Sequence, residues 1–288
     1  MNRYRTAEAF WQALEGRLRE VEPSKPLAQK RQLLAFERFL ERVREVRPGT
    51  ILKGGLGLRL RDPRARATRD VDILLTGDAE PDGSLLATAG RLDLDEYFSF
   101  TVQLRRALMG TKGNQYHSRC MLGGKLFAEF DIDAAAPAPM VGEVSAIPGC
   151  DWLSFIGISR PTFDVYPLAA QIAEKLHALT VPRPTPNTRD KDLPDLAILA
   201  RLSDGAPTST LRAAIEATFL HRATHPVPGR VGEVPPEWAK PYGRLAEEHD
   251  LEWRSFEDLQ RAVRHFLDPV LSGEARGSWS VAEWKWRA

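Results

Sequence analysis

A chain of 288 residues has room for two domains of ordinary size or one large one. Its composition, 43% hydrophobic and 27% charged, is that of a folded globular chain and excludes a disordered polymer. With 40 basic and 39 acidic residues the net charge is +1, so no overall excess announces a polyanionic partner. The charge is uneven, though: residues 1–66 hold 16 Lys and Arg against 8 Asp and Glu. A basic block of this kind is either a solvated helix face or a track for phosphates. Two cysteines, Cys120 and Cys150, are too few for a disulfide framework or a zinc site. No uncharged apolar run reaches the ~18–20 residues of a membrane span, and the first residues lack the apolar core of a secretory signal. The expectation is a cytoplasmic protein with no membrane partner.

In chain order, residues 27–46 predict a long amphipathic helix: Leu33, Leu34, Phe36, Phe39, Leu40, Val43 and Val46 recur at helical spacing. Pro48 and Gly49 end it. A short strand at 50–52 runs into Gly54-Gly55, after which Leu56, Leu58 and Leu60 fit a helix or a second strand. Residues 70–75, DVDILL, predict a strand, as do residues 97–104 and 125–135. Beyond about residue 160 the pattern turns helical, with helices expected over 167–181, 193–202, 208–221 and 255–270. The stretch 226–243 carries five prolines and reads as irregular. The fold class expected is α+β: a mixed-sheet lobe with amino-terminal helices over residues 1–160, then a helical lobe over 161–288.

Chemistry concentrates in a few places. Asp70 and Asp72 are two apart on a strand, so both carboxylates point the same way, and they repel unless a cation lies between them. Hard oxygen ligands suit Mg²⁺, which is commonly held by one or two carboxylates plus substrate phosphates. Gly54-Gly55, fifteen residues upstream, allow a tight turn whose amides can cradle a phosphate. The bland alternative is a solvated strand end. Glu129, Asp131 and Asp133 share one strand face, and either Asp131 or Asp133 can complete a metal site; an edge strand with one wet side fits equally. Lys175 borders the apolar stripe Leu168, Ile172, Leu176 and Leu179, where it snorkels to water or reaches into a cleft. His177 lies opposite that stripe and is expected at the surface. Asp192 and Asp195 share a face at the next helix entry, as a cap with a first-turn acid or as partners aimed at Lys175. His221 and His225 have metal-ligand spacing but no third ligand, and Trp279, Trp284 and Trp286 are expected to pack the carboxyl terminus down. There is no Gly-x-Ser-x-Gly, His-Glu-x-x-His, P-loop or dinucleotide fingerprint.

Taken together, ILKGGLGLRL with RATRDVDILL, FAEFDIDAAA, AAQIAEKLHAL and TRDKDLPDLAIL, with HRATHPVPGRV beyond them, resemble the AbiEii/AbiGii-type nucleotidyltransferase toxins, MenT-type toxins of mycobacteria among them, over about residues 50–230. The resemblance implies a polymerase-β-like nucleotidyltransferase lobe with a helical second lobe. It implies Mg²⁺-dependent transfer of a nucleotide from an NTP onto RNA, at the tRNA 3′ end in better-studied relatives, which blocks translation. It also implies a cognate antitoxin. Carried over by position, Asp70, Asp72 and Asp133 are the metal carboxylates, and Lys175 and Asp192 complete the catalytic set. Gly54 and Gly55, with Lys53, Thr68, Arg189 and Asp195, form the nucleotide-binding set. Thr68 replaces the Ser of many relatives and keeps the hydroxyl. Asp131 remains an alternative third acid, and Arg42, Arg44 and Arg47 are candidates for an RNA phosphate track. The same residues also fit transfer to a protein or small molecule, or a nucleotide-binding module without catalysis.

Overall fold

The computed structural model describes residues 4–76, 83–108, 112–184 and 186–288. The chain forms two compact units: Met1–Leu60, Ala67–Pro137 and Ser145–Val165 make the first, and Arg61–Arg66, Ala138–Val144 and Tyr166–Ala288 the second.

The first unit contains α1 (Ala7–Glu20), α2 (Leu27–Val46), β1 (Ile51–Leu52), α3 (Gly54–Arg61, its last residue in the second unit), β2 (Asp70–Leu74), α4 (Gly83–Arg91), β3 (Phe98–Ala107), β4 (Gly113–Leu122), β5 (Lys125–Ala135), β6 (Ser145–Pro148) and β7 (Thr162–Val165). The predicted helix at 27–46 and strand at 125–135 form over those residues, and Leu56, Leu58 and Leu60 resolve into a helix. Among the described residues seven strands make one mixed sheet in the order β3-β4-β5-β2-β1-β7-β6. β2 runs parallel to β5 and antiparallel to β1, while β3, β4 and β5 form an antiparallel meander.

Strand alternation gives this sheet one dry and one polar face. On the dry face Val71, Ile73, Phe100, Phe130, Ile132 and Cys120 join a core that includes Phe10, Phe36 and Phe39 of α1 and α2. Phe36 meets Phe130 edge-on at 4.9 Å between centroids, and Trp11 meets Phe127 at 5.6 Å. The other face carries Asp70, Asp72, Glu129, Asp131, Asp133, His117 and Arg119, all exposed or half-buried.

Of the three arginines expected on a phosphate track, Arg42 is interior. Arg42 is fully buried; its guanidinium donates to the carbonyls of Leu92, Arg38 and Phe98 and pairs with Glu96. Arg38 pairs with the same Glu96. Arg47 donates to Thr76 O at 2.5 Å, and Arg44 pairs with Glu41 at 2.6 Å. Arg38 and Arg42 tie α2 to the chain around α4 and β3, Arg47 ties its end to the chain after β2, and Arg44 neutralises a local acid, so composition overstated the exposed cationic surface.

The second unit contains α5 (Leu168–Thr180), α6 (Asp192–Arg201), α7 (Thr208–Arg222), α8 (Ala239–Glu248), α9 (Phe256–Leu271) and a hairpin of β8 (Ser278–Ser280) and β9 (Lys285–Arg287). Indole Nε1 groups of Trp279, Trp284 and Trp286 donate to carbonyls of Ala200, Ala262 and Phe266, which clamps the hairpin onto α6 and α9 as expected. Two expectations need correction. His177 is buried, not at the surface: it packs edge-on against Phe219 of α7 at 5.0 Å and its Nε2 meets Thr224 Oγ1 at 2.7 Å. α7 covers the side of α5 that a single-helix reading leaves to water. The stretch 226–243 is not wholly irregular either, because α8 begins at Ala239 with Pro241 in its first turn, where no intrahelical N–H is required.

Glu96 is the counter-charge for two buried arginines, so Glu96→Ala should cost about 3–5 kcal/mol in urea unfolding. A loss below about 1 kcal/mol would show that the arginines find other partners.

Candidate active site

β1 and β2 bring the glycine turn to the first acidic strand. The registers Ile51↔Leu74 and Leu52↔Ile73 place Lys53 opposite Asp72, and Lys53 N donates to Asp72 O at 2.8 Å. Gly54 then opens α3 with φ +61, and a Cβ there would overlap the Asp72 carboxylate. Only glycine accepts both the left-handed backbone and this approach. Asp72 therefore lies against the amino end of α3, where backbone N–H groups and the helix dipole favour anions. Thr68 exchanges hydrogen bonds with the Asp70 backbone, its hydroxyl donating to Asp70 O at 3.2 Å and accepting from Asp70 N at 3.4 Å, which fixes the entry to β2.

The parallel pairing of β2 with β5 sets Asp70 opposite Asp131 and Asp72 opposite Asp133. Four carboxylates thus stand on two adjacent strands ~4.8 Å apart, all on the polar face. The two on β5 differ in their surroundings. Asp131 is committed on both oxygens: Oδ1 lies 2.9 Å from His117 Nδ1, and Oδ2 accepts from Arg105 at 2.5 Å. Asp133 accepts from Gln115 Nε2 at 2.9 Å, and Gln115 in turn accepts from Arg106 Nε at 3.1 Å. Burial raises the Asp133 pKa, opposed by the Gln115 hydrogen bond and helped by the nearby Asp131 charge. Among the described residues no three His, Cys, Asp or Glu side chains already close on a common metal point. The backbone register brings the donors together, and the hard oxygen set matches a Mg²⁺-type ion.

The second unit holds a separate ionic cluster. Lys175 Nζ on α5 donates to Asp192 Oδ1 at 2.9 Å and to Asp195 Oδ2 at 2.7 Å, both on α6. Arg66 also pairs with Asp195 Oδ2 at 3.1 Å, and Arg189 stands 3.9 Å from Asp192 Oδ2. Lys175 therefore neither snorkels nor stands alone: 11% of its side chain is exposed, and two carboxylates fix its ammonium. Asp192 is the first residue of α6 rather than its cap; Lys191 takes that place without a side-chain hydrogen bond. Asp192 Oδ2 is buried without a hydrogen-bond partner. Asp195 is 1% exposed, which makes it a support for Lys175 and Arg66. Burial works against charging either group. The carboxylates more than offset it and raise Lys175, while Lys175 and Arg66 do the same for Asp195 and lower it.

Reading the residues alone missed Gln115, His117, Arg105 and Arg106, which reach β5 through β4 and β3. The alternation of Tyr116, Ser118, Cys120 and Leu122 against polar neighbours was the available signal for β4.

A family model described as "Nucleotidyl transferase AbiEii toxin, Type IV TA system" matches residues 38–286. Among solved structures, the nucleotidyltransferase toxin MenT4 of Mycobacterium tuberculosis H37Rv is similar, with 16% identity and a TM-score of 0.47, over 93% of this chain and 99% of that one. JHP933 of Helicobacter pylori is similar with 17% identity and a TM-score of 0.41, over 76% of this chain and 92% of that one. A comparison with curated proteins finds no significant match.

The lysine cluster has a signed pH signature. A carboxylate held below its usual 3.8 and an ammonium held above 10.5 contribute stability fully between those values. That contribution is lost as pH falls through the depressed Asp195 value or rises through the raised Lys175 value. Asp195→Asn should therefore destabilise the protein by about 3 kcal/mol near neutral pH in urea unfolding. The difference from the parent should shrink below pH 4; a difference independent of pH would contradict the ionic assignment.

Proposed function

Because the chain belongs to the AbiEii family of nucleotidyl transferase toxins of type IV toxin–antitoxin systems, we propose that it moves a nucleoside monophosphate from an NTP onto RNA, at the tRNA 3′ end, and so stops translation in the cytoplasm. The observation that carries this reading is the register Asp72↔Asp133 beside Asp70, set against the Gly54 start of α3. The carboxylates proposed for a metal ion thereby come from the paired strands β2 and β5, and the backbone donors proposed for a phosphate from the helix that follows β1.

In this reading Asp70, Asp72 and Asp133 hold Mg²⁺. When bound, the ion neutralises charge building on the α-phosphate during in-line attack by a ribose hydroxyl. The amino end of α3 at Gly54 and Gly55 takes phosphate oxygens beside Asp72, whose carboxylate already fills the space that a Cβ at Gly54 would need. Gln115, held by Arg106, fixes the rotamer of Asp133. Thr68 sets the strand entry that aims Asp70. In the helical unit, Lys175 supplies an ammonium kept charged by Asp192 and Asp195, suited to the negative charge on departing pyrophosphate. Lys53 and Arg189 are assigned to further nucleotide contacts. The family is that of toxins, so a cognate antitoxin is the expected partner.

The test is to incubate the full chain with Mg²⁺ and each α-labelled NTP in turn, with pools of tRNA, protein and aminoglycoside. Label on tRNA 3′ ends, lost on adding EDTA, is expected. Asp70→Ala and Asp72→Ala should each lower transfer by at least ~10³-fold. Label confined to protein or aminoglycoside would overturn the RNA assignment, and undiminished transfer by either variant would overturn the site.

A further inference from the structure

One group on the polar face has no part in the chemistry above. His117 stands opposite Asp131 on β4, as Asp131 stands opposite Asp70, so it continues the row of acids across the sheet. Its neighbour in register two residues away is Gln115, which holds Asp133. An ionised carboxylate only accepts hydrogen bonds, so the 2.9 Å contact to Asp131 puts the proton of a neutral His117 ring on Nδ1. Arg105, beside the irregularity in β3 between Leu104 and Arg106, takes the other Asp131 oxygen and fixes the carboxylate from its far side. Nε2 is then left as a lone-pair acceptor of set direction. The His117 side chain is 26% exposed, and its Nε2 has no partner among the described residues. A histidine serving only to cross-brace β4 and β5 would need Nδ1 alone.

We propose that His117 is the acceptor-side binding residue: its Nε2 accepts a hydrogen bond from the 2′-hydroxyl of the terminal ribose whose 3′-hydroxyl receives the nucleotide. This rests on reading Asp70, Asp72 and Asp133 as the metal carboxylates. Two features support a small hydroxyl. The atom offered is a neutral acceptor, which fits an O–H and does not fit a phosphate oxygen. It lies diagonally from Asp133, one strand over and two residues along, ~8 Å by strand geometry, which is the scale of one nucleotide. Reading the 2′-hydroxyl is also how a protein tells RNA from DNA at a single site. Asp131 and Arg105 are positioning residues that act through His117.

The experiment uses tRNA ending in ordinary adenosine and the same tRNA ending in 2′-deoxyadenosine, which keeps the attacking 3′-hydroxyl. His117→Asn retains, through its side-chain N–H, the hydrogen bond to Asp131 but removes the Nε2 acceptor; His117→Gln places an amide oxygen near the Nε2 position. With the parent, the deoxy acceptor should show a KM about three- to tenfold higher than the ribose acceptor, as expected for one neutral hydrogen bond. His117→Asn should raise the ribose acceptor KM by the same factor, abolish the distinction between the two acceptors, and leave kcat and the NTP KM within about twofold. His117→Gln should restore part of the discrimination. Parent-like discrimination in His117→Asn would show that the ring only braces Asp131, and a shift in NTP KM would place it on the nucleotide side; either overturns the proposal. Failure of the metal reading shows separately, as undiminished transfer by Asp70→Ala.

Discussion

Like charges forced into register are the constraint on which the first unit depends. Pairing of β2 with β5 sets Asp70 against Asp131 and Asp72 against Asp133 on one face of a sheet. The arrangement persists because the other face is a continuous aromatic and aliphatic core, with Phe36, Phe39, Phe100 and Phe130 in mutual contact. Slipping β2 by one residue would turn both aspartates into that core and Val71 and Ile73 out to water. Hydrophobic burial thus fixes the spacing of acids that would otherwise move apart. Desolvation and the charge of Asp131 already push the Asp133 pKa upward.

The structure handles these charges in three ways. Arg105 neutralises Asp131 at one end of the row, and His117 hydrogen-bonds to its other oxygen. Asp133 has a neutral amide instead, which orients it without cancelling its charge. Asp72 rests beside the amino end of α3 at a glycine that cannot be replaced without a clash. The contrast between Asp131, paired with Arg105, and Asp133, matched by an amide, is what supports the proposal of Asp133 as the third metal acid. In the helical unit the logic is reversed: Lys175 is the group held in place, and the carboxylates of Asp192 and Asp195 keep it charged despite burial.

What was legible in the sequence followed from short-range periodicity. Alternation in KLFAEFDIDAA marked β5 and its acidic face, and Asp70-Val71-Asp72 declared both its chemistry and its strand. The helical stripe placed Lys175 at the edge of a buried face. Charges that meet partners far along the chain were not legible: Glu96 lies 58 residues from Arg38, and Asp195 lies 129 residues from Arg66. The basic count over residues 1–66 accordingly suggested an exposed track, whereas Arg38 and Arg42 are interior groups. His117 escaped notice for the same reason, since only the β4–β5 register joins it to Asp131, and His177 because its cover comes from α7.

The claim that strand register holds mutually repelling carboxylates for a metal ion is tested most directly by thermal unfolding with and without Mg²⁺ and a non-hydrolysable NTP analogue. In the absence of metal, Asp70→Asn/Asp72→Asn should melt at a higher temperature than the parent, because repulsion is relieved. Adding metal and nucleotide should raise the parent's melting temperature and leave the double variant's unchanged. A double variant that melts lower without metal, or that is stabilised by Mg²⁺ and nucleotide as strongly as the parent, would contradict the account.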